Sequence, residues 1–323
     1  RRALSSGQIA LFVITLTLLV FSSAYTNDYL LVHTCVIMVA VGGIRLRRLC
    51  DVYSLALLAM ISVVLVLSTL GIIYNKDVIP NSRLVFSYGL GHPNGIGSLL
   101  FACCAALAYS CWYRRTWWVS LAVSAISSVF SYVFLSSHAA AAVLAALAIA
   151  VVVGHAMRRR GADLVPGKVF FATLTVLPFL MLLAMIVSTA FYSADNPVFA
   201  LFNKLLHERP HFAHQYYSSH GGFTLFGAKY ASVSNYHTGL PFTSVDCGYS
   251  RLALCVGAFA FVAMAATYVV AVRKLSRDNP HFLVMVILLL CSAYLMVETA
   301  QLYLASGVMA IFVSQAFCVT GDG

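Results

Sequence analysis

The sequence is short of charge. Of its 323 residues, 9% are Asp, Glu, Lys or Arg, while 61% are hydrophobic. A water-soluble domain carries about 25% charged residues, because its surface has to be hydrated. With a mean hydropathy of +0.90, too little polar surface is left to cover a water-facing globule. Strict alternation of apolar and polar residues is also missing, which excludes a membrane β-barrel. The nine cysteines form no spacing of a zinc or redox motif. Internal repeats are absent, as are matched pairs of Gly/Pro-broken runs of the kind transporters carry.

What the sequence does have is long apolar runs. About twenty apolar residues suffice to cross about 30 Å of hydrocarbon as a helix, where every backbone amide needs an internal partner. Such runs lie near 8–25, 29–44, 52–74, 95–113, 116–136, 138–157, 168–190, 249–272, 281–297 and 301–318. The expectation is an all-α polytopic integral membrane protein of about ten transmembrane helices. It forms a single transmembrane domain over 1–323. The second run is short, and the last two are separated only by Glu298-Thr299-Ala300, so a re-entrant hairpin is an alternative there. The first run lacks a small-residue cleavage site and reads as an anchor.

Lys and Arg set the orientation. With the N-terminus inside, fourteen cationic residues fall in cytoplasmic segments, among them Arg45, Arg47, Arg48, Arg114, Arg158 and Arg273. Six fall outside: Lys76, Arg83, Lys204, Arg209, Lys229 and Arg251. Both termini are thus expected in the cytoplasm, with the chain in the cytoplasmic membrane. The net charge of +10 is spread over these turns as a topology signal facing anionic headgroups, without the gathered aromatic-basic patch of a nucleic-acid binder. Residues 191–248 form a large extracytoplasmic loop. On this topology Cys247 is expected to react with an external thiol reagent and Cys50 to be protected.

The polar chemistry collects on the outer side. Arg83 leads a Gly-rich stretch ending His92-Pro93-Asn94-Gly95-Ile96-Gly97. Its turns end where Asn94 can cap a helix, and a helix N-terminus favours anions. His138 sits in the turn between the fifth and sixth runs. His207-Glu208-Arg209-Pro210-His211 formally matches the H-E-x-x-H zinc motif, but a Pro inside the helix argues against it, and no metal is expected. If a helix starts near Arg209, Pro210 is tolerated and His207 falls outside it. Asp246 and Arg251 flank the start of the eighth run, where an acid is favoured near a helix N-terminus and a buried arginine usually faces a polar cavity. Glu298 lies at similar depth. Guanidinium forks suit phosphate, and a carboxylate or histidine can accept a hydroxyl proton.

The order of these elements resembles the Wzy-type repeat-unit polymerases of exopolysaccharide and capsule clusters. The resemblance rests on Arg83 through Gly97, on Ser137-His138 (where the family tends to have Ser-Arg), on Arg209, on Phe226-Gly227, and on Asp246-Cys247-Gly248-Tyr249 with Cys in place of Asn. It covers residues 80 to 260. It implies transfer of a growing glycan from a polyprenyl diphosphate carrier to the next lipid-linked repeat unit, on the outer leaflet and without a cofactor. Arg83, Arg209 and Arg251, with Asn94, His138 and Tyr249, are then the expected substrate-binding residues. His92, Asp246 and Glu298 are the candidate bases. Expected partners are polyprenyl-diphosphate-linked glycans, the lipid bilayer, and flippase and chain-length regulator proteins, with no nucleic acid. An O-antigen-ligase-like transferase, a lipid-linked sugar transporter or flippase, and a structural scaffold stay open as alternatives.

Overall fold

The computed structural model describes residues 4–73, 77–78, 85–88, 93–112, 114, 116–229, 245–303 and 307–317. Helices dominate it. The chain begins with α1 (Ser6–Thr26), α2 (Leu30–Val41) and α3 (Leu46–Thr69), then a two-residue hairpin of β1 (Asp77–Val78) and β2 (Val85–Phe86). Next come α4 (Pro93–Trp112), α5 (Trp117–Val133), α6 (His138–Arg159) and α7 (Gly167–Phe191). Two short helices, α8 (Pro197–Leu205) and α9 (Arg209–Ser219), precede α10 (Gly248–Arg251). A π-helical turn at Leu252–Val256 leads to α11 (Ala258–Asp278), α12 (Phe282–Tyr294) and, after a 3-10 turn, α13 (Met309–Val313). Six helices, α1, α3, α4, α6, α7 and α11, are long and apolar enough to cross a membrane, while α2, α5 and α12 are apolar but shorter.

α4 stands at the centre: 83% of its apolar stretch is buried, against 22% in α3 and in α7. Its sequence explains this. Ala102, Cys103, Cys104, Ala105 and Ala106 are all buried, and such small residues let neighbouring backbones approach from several sides. Where α4 meets the start of α6, a Cβ added at Gly97 would stand 2.7 Å from that of Ala140. The peripheral helices instead present large apolar side chains outward, such as Leu55, Ile126 and Phe179, as a lipid-solvated surface requires.

The two ends of the bundle differ in chemistry. One carries the Arg-rich turns: Arg114 pairs with Asp51 at 2.9 Å, and Asp163 pairs with His281 at 3.3 Å. The other gathers the starts of α4, α6, α9 and α10 with the end of α12.

Two of the expected runs are not continuous helices. The run at 249–272 breaks at Gly257, which has φ +89° and whose added Cβ would lie 2.3 Å from the Gly227 nitrogen. Residues 224–228 fill the gap: Ala258 N–H donates to the Thr224 carbonyl at 3.0 Å, and Ala228 N–H donates to the Leu254 carbonyl at 2.9 Å. Backbone groups freed by the break thus recover partners from the long loop, as a dry environment demands. The run at 301–318 is also interrupted. An added Cβ on Gly307 would stand 2.5 Å from the Gln301 Cα, so the chain folds tightly back before α13. It nonetheless passes from one end of the bundle to the other. Gln8, at the start of α1, donates to the Ala316 carbonyl at 2.9 Å, and Gly42 lies against the Phe317 carbonyl. Irregular backbone is tolerated there because Ile311, Phe312, Ala316 and Phe317 are buried in protein. The 191–248 segment, expected as one loop, contains α8 and α9.

Candidate functional site

Four elements converge on Glu298, just beyond α12. Asn94, in the first turn of α4, donates from Nδ2 to Glu298 Oε1 at 2.5 Å. Arg209, the first residue of α9, reaches the same oxygen at 3.3 Å. The guanidinium is held from two further directions, with Nε donating to the Val297 carbonyl at 3.1 Å and Nη1 to the His207 carbonyl at 3.0 Å. Side-chain exposure is 19% for Arg209 and 13% for Glu298, so the pair is screened only weakly by solvent.

Local sequence makes this possible. His207 and Glu208 both adopt left-handed φ, at 49° and 66°, a conformation that costs a non-glycine residue about 1–2 kcal/mol. The turn they make sends the chain into α9, with Pro210 in its first turn, where a missing N–H costs nothing. His207 therefore lies outside the helix that carries His211, and the H-E-x-x-H string has no common helical face. Among the described residues no group of three or more His, Cys, Asp and Glu is disposed to hold a metal.

Asp246 precedes α10 on the third side. Gly248 N–H donates to the Leu295 carbonyl at 2.8 Å, and a Cβ at Gly248 would lie 2.5 Å from Leu295 Cδ2 and 3.2 Å from the Glu298 carbonyl oxygen. Only glycine lets α10 approach the end of α12 this closely. The consequence is electrostatic. Burial pushes the Glu298 carboxyl up to about 7; the Arg209 charge pulls it down, the Asp246 charge pushes it up, and the hydrogen bonds from Asn94 and Arg209 pull it down. A carboxylate poised there can take a proton from a hydroxyl near neutral pH, beside a guanidinium suited to phosphate.

Arg251 belongs to a neighbouring cluster. It pairs with Asp28 at 2.7 Å, and its guanidinium lies 5.6 Å from the centre of the Tyr303 ring. Together with Asn27, Tyr29 and His33, the two charged residues line an open depression of about 430 Å³. Asp28 was not singled out from the sequence; its signal is that it is the sole acid in the turn between the first two runs. Tyr249 is buried and turned toward an apolar cavity of about 220 Å³, which it lines with Tyr268, Leu295 and Gln301. His138 is exposed, its ring 5.3 Å from that of Tyr132, on the outside of the bundle. Arg83 and His92 lie outside the described residues. Of the nine positions read from the sequence, Asn94, Arg209, Asp246 and Glu298 come together, Arg251 and Tyr249 lie beside them, and His138 stands apart. One expectation is corrected: Cys247 is 1% exposed, and its thiol donates to the Leu295 carbonyl at 3.4 Å, so external reagents have no path to it.

Compared with protein-family models, curated proteins and solved structures, the chain matches none.

Proposed function

We infer that the chain is a multi-pass glycosyltransferase of the cytoplasmic membrane that joins polyprenyl-diphosphate-linked oligosaccharide repeat units into exopolysaccharide or capsule. The observation that carries this reading is the Arg209–Glu298–Asn94 cluster, with Asp246 beside it, at the end of the bundle opposite the Arg-rich turns. By the distribution of cations that end faces outward. Counting the irregular passage after Glu298 as a crossing gives ten in all, with both chain ends in the cytoplasm and the 191–248 segment outside.

In the reaction, the acceptor sugar hydroxyl attacks the anomeric carbon of the donor glycan. The new glycosidic C–O bond forms as the bond to the diphosphate breaks, and polyprenyl diphosphate leaves. Glu298 accepts the hydroxyl proton. Arg209 faces the departing diphosphate and offsets its charge in a partly dry site. Asn94 orients the carboxylate, and Asp246 keeps its proton affinity near neutrality. Arg83 and His92, which the resemblance also implies, lie outside the described residues and carry no part of this reading. The apolar cavity beneath, bordered by Tyr249 and Leu295, is suited to isoprenoid carbons. Flippase and chain-length regulator proteins are the expected partners, and no cofactor is invoked.

The test is mass spectrometry of polyprenyl-diphosphate-linked glycans in a strain lacking the gene, complemented with wild type or Arg209→Ala. Accumulation of single repeat units that only wild type resolves into long chains supports the reading. Accumulated long lipid-linked chains indicate a ligase, and an unchanged lipid-linked pool overturns the glycan reading.

A further inference from the structure

The segment after α7 carries an apolar face that the other described residues leave exposed. In α8, Val198, Leu201 and Leu205 are 71%, 60% and 66% exposed. At about 100° per residue these three fall on one side of the helix. Phe202 and Leu206, on the adjoining side, pack into the core that Leu295 and Leu302 share. Ala200 and Lys204, also exposed, lie away from the apolar face. The helix is specified locally, since Asn196 accepts from the Val198 and Phe199 amides at 2.9 and 3.4 Å and Pro197 opens the first turn.

We propose that α8 lies in the plane of the membrane surface, its apolar face set into the leaflet at the Glu298 end of the bundle. Continuity with the lipid-facing surface identifies the occupant. On α7, Val176, Phe179, Leu183, Val187 and Phe191 form an exposed apolar stripe that ends six residues before α8 begins. α7 has 25 residues, about 37 Å at 1.5 Å each, which exceeds the hydrocarbon thickness of about 30 Å. Its first turn lies at the Arg-rich end, where Gly167 meets the Ser276 carbonyl, so a helix of that length reaches the opposite headgroups, and α8 starts at that level. A second contact from the same outer segment agrees. Phe226 packs edge-on against Phe259 at 5.6 Å, and Phe259 and Val262 are exposed along α11, a helix long enough to span. A short helix with one exposed apolar side and an exposed Lys away from it is the kind that settles at the headgroup boundary.

The placement has a consequence for Arg209. Asn203 of α8 binds the start of α9 twice, its carbonyl accepting from Glu208 N–H at 2.9 Å and its side-chain oxygen from His211 N–H at 3.0 Å. The depth of α8 thereby fixes the height of Arg209 relative to the lipid headgroups.

The test uses the full chain in nanodiscs of phosphatidylglycerol and phosphatidylethanolamine. Single variants Val198→Cys, Leu201→Cys, Leu205→Cys and Ala200→Cys carry a nitroxide, and the unmutated chain, whose eight described cysteines are buried, corrects for background. Collision with oxygen should exceed collision with a water-soluble nickel chelate several-fold at 198, 201 and 205, and the ratio should reverse at 200. Nickel-dominated relaxation at all four sites would place the helix in water and overturn the proposal. Low accessibility to both reagents at 201 and 205 would also overturn it, since the face would then be covered by protein. Neither readout depends on transferase activity, so failure here leaves the proposed reaction standing, and the reverse.

Discussion

Arg209 and Glu298 are 89 positions apart in sequence and meet at 3.3 Å, on the oxygen that Asn94 also holds. The carboxylate needs both partners. A buried carboxylate with two donors can ionise near neutrality, whereas with none it would stay protonated.

The first prediction concerns pH. Because the Glu298 carboxyl is pushed up to about 7 and acts as an acceptor only when ionised, chain extension in membrane vesicles should rise as pH increases through about 7. Glu298→Gln should lower the rate by about 10²-fold or more, the usual scale for losing a general base, and abolish that pH limb. A limb that survives in the Gln variant would assign it to another group.

Removing the guanidinium should move the same limb. Arg209→Ala takes away the cation that favours ionised Glu298, so the apparent pKa should rise above that of wild type. Arg209→Lys keeps the charge but loses the fork that reaches Val297, His207 and Glu298 together. It should restore the pH limb better than it restores the rate. Rate profiles of both variants against pH check this.

Gly257→Ala tests the crossing of residues 224–228 over the broken helix. With φ +89° and the Gly227 backbone at 2.3 Å, strain and overpacking together should cost about 3 kcal/mol or more. Gly161→Ala is the comparison, because φ is +69° there with nothing within 4 Å; only the left-handed strain of about 1–2 kcal/mol applies. Thermal unfolding in detergent should separate the two clearly.

Asp28→Asn tests the second cluster. Arg251 is 13% exposed with Asp28 at 2.7 Å, so losing the anion should destabilise by about 1–3 kcal/mol. The Glu298 pH limb should stay in place if the two clusters act separately.

Sidedness is checked by thiol labelling of intact cells. His138→Cys, exposed at the Glu298 end of the bundle, should react with an impermeant maleimide, and Arg159→Cys at the opposite end should react only after lysis. The inverse pattern would reverse the orientation.

The apolar runs alone located the helices, because burying twenty backbone amides in hydrocarbon leaves few other solutions. α1, α6 and α7 fall within two residues of their expected limits. The two runs that turned out broken were not legible. Their apolar character is the same whether lipid or protein surrounds them, and Gly257 and Gly307 acquire meaning only against Gly227 and Gln301. The site was partly legible. Asn94, Arg209, Asp246 and Glu298 stood out as polar residues at run ends, whereas Asp28 went unnoticed because an acid in a short turn is ordinary until Arg251 lies opposite.

By itself the sequence determined that this is a helical protein with long apolar runs, and that most of its cations fall in one alternate set of the connections between them. Those properties follow from solvation, which acts on each residue independently of its neighbours in space. Only the tertiary structure decided which polar groups share an oxygen, which glycine must be a glycine, and that Cys247 is sealed while His138 faces outward. Each of these depends on contacts between elements far apart in the chain, and hydropathy carries no record of such distances.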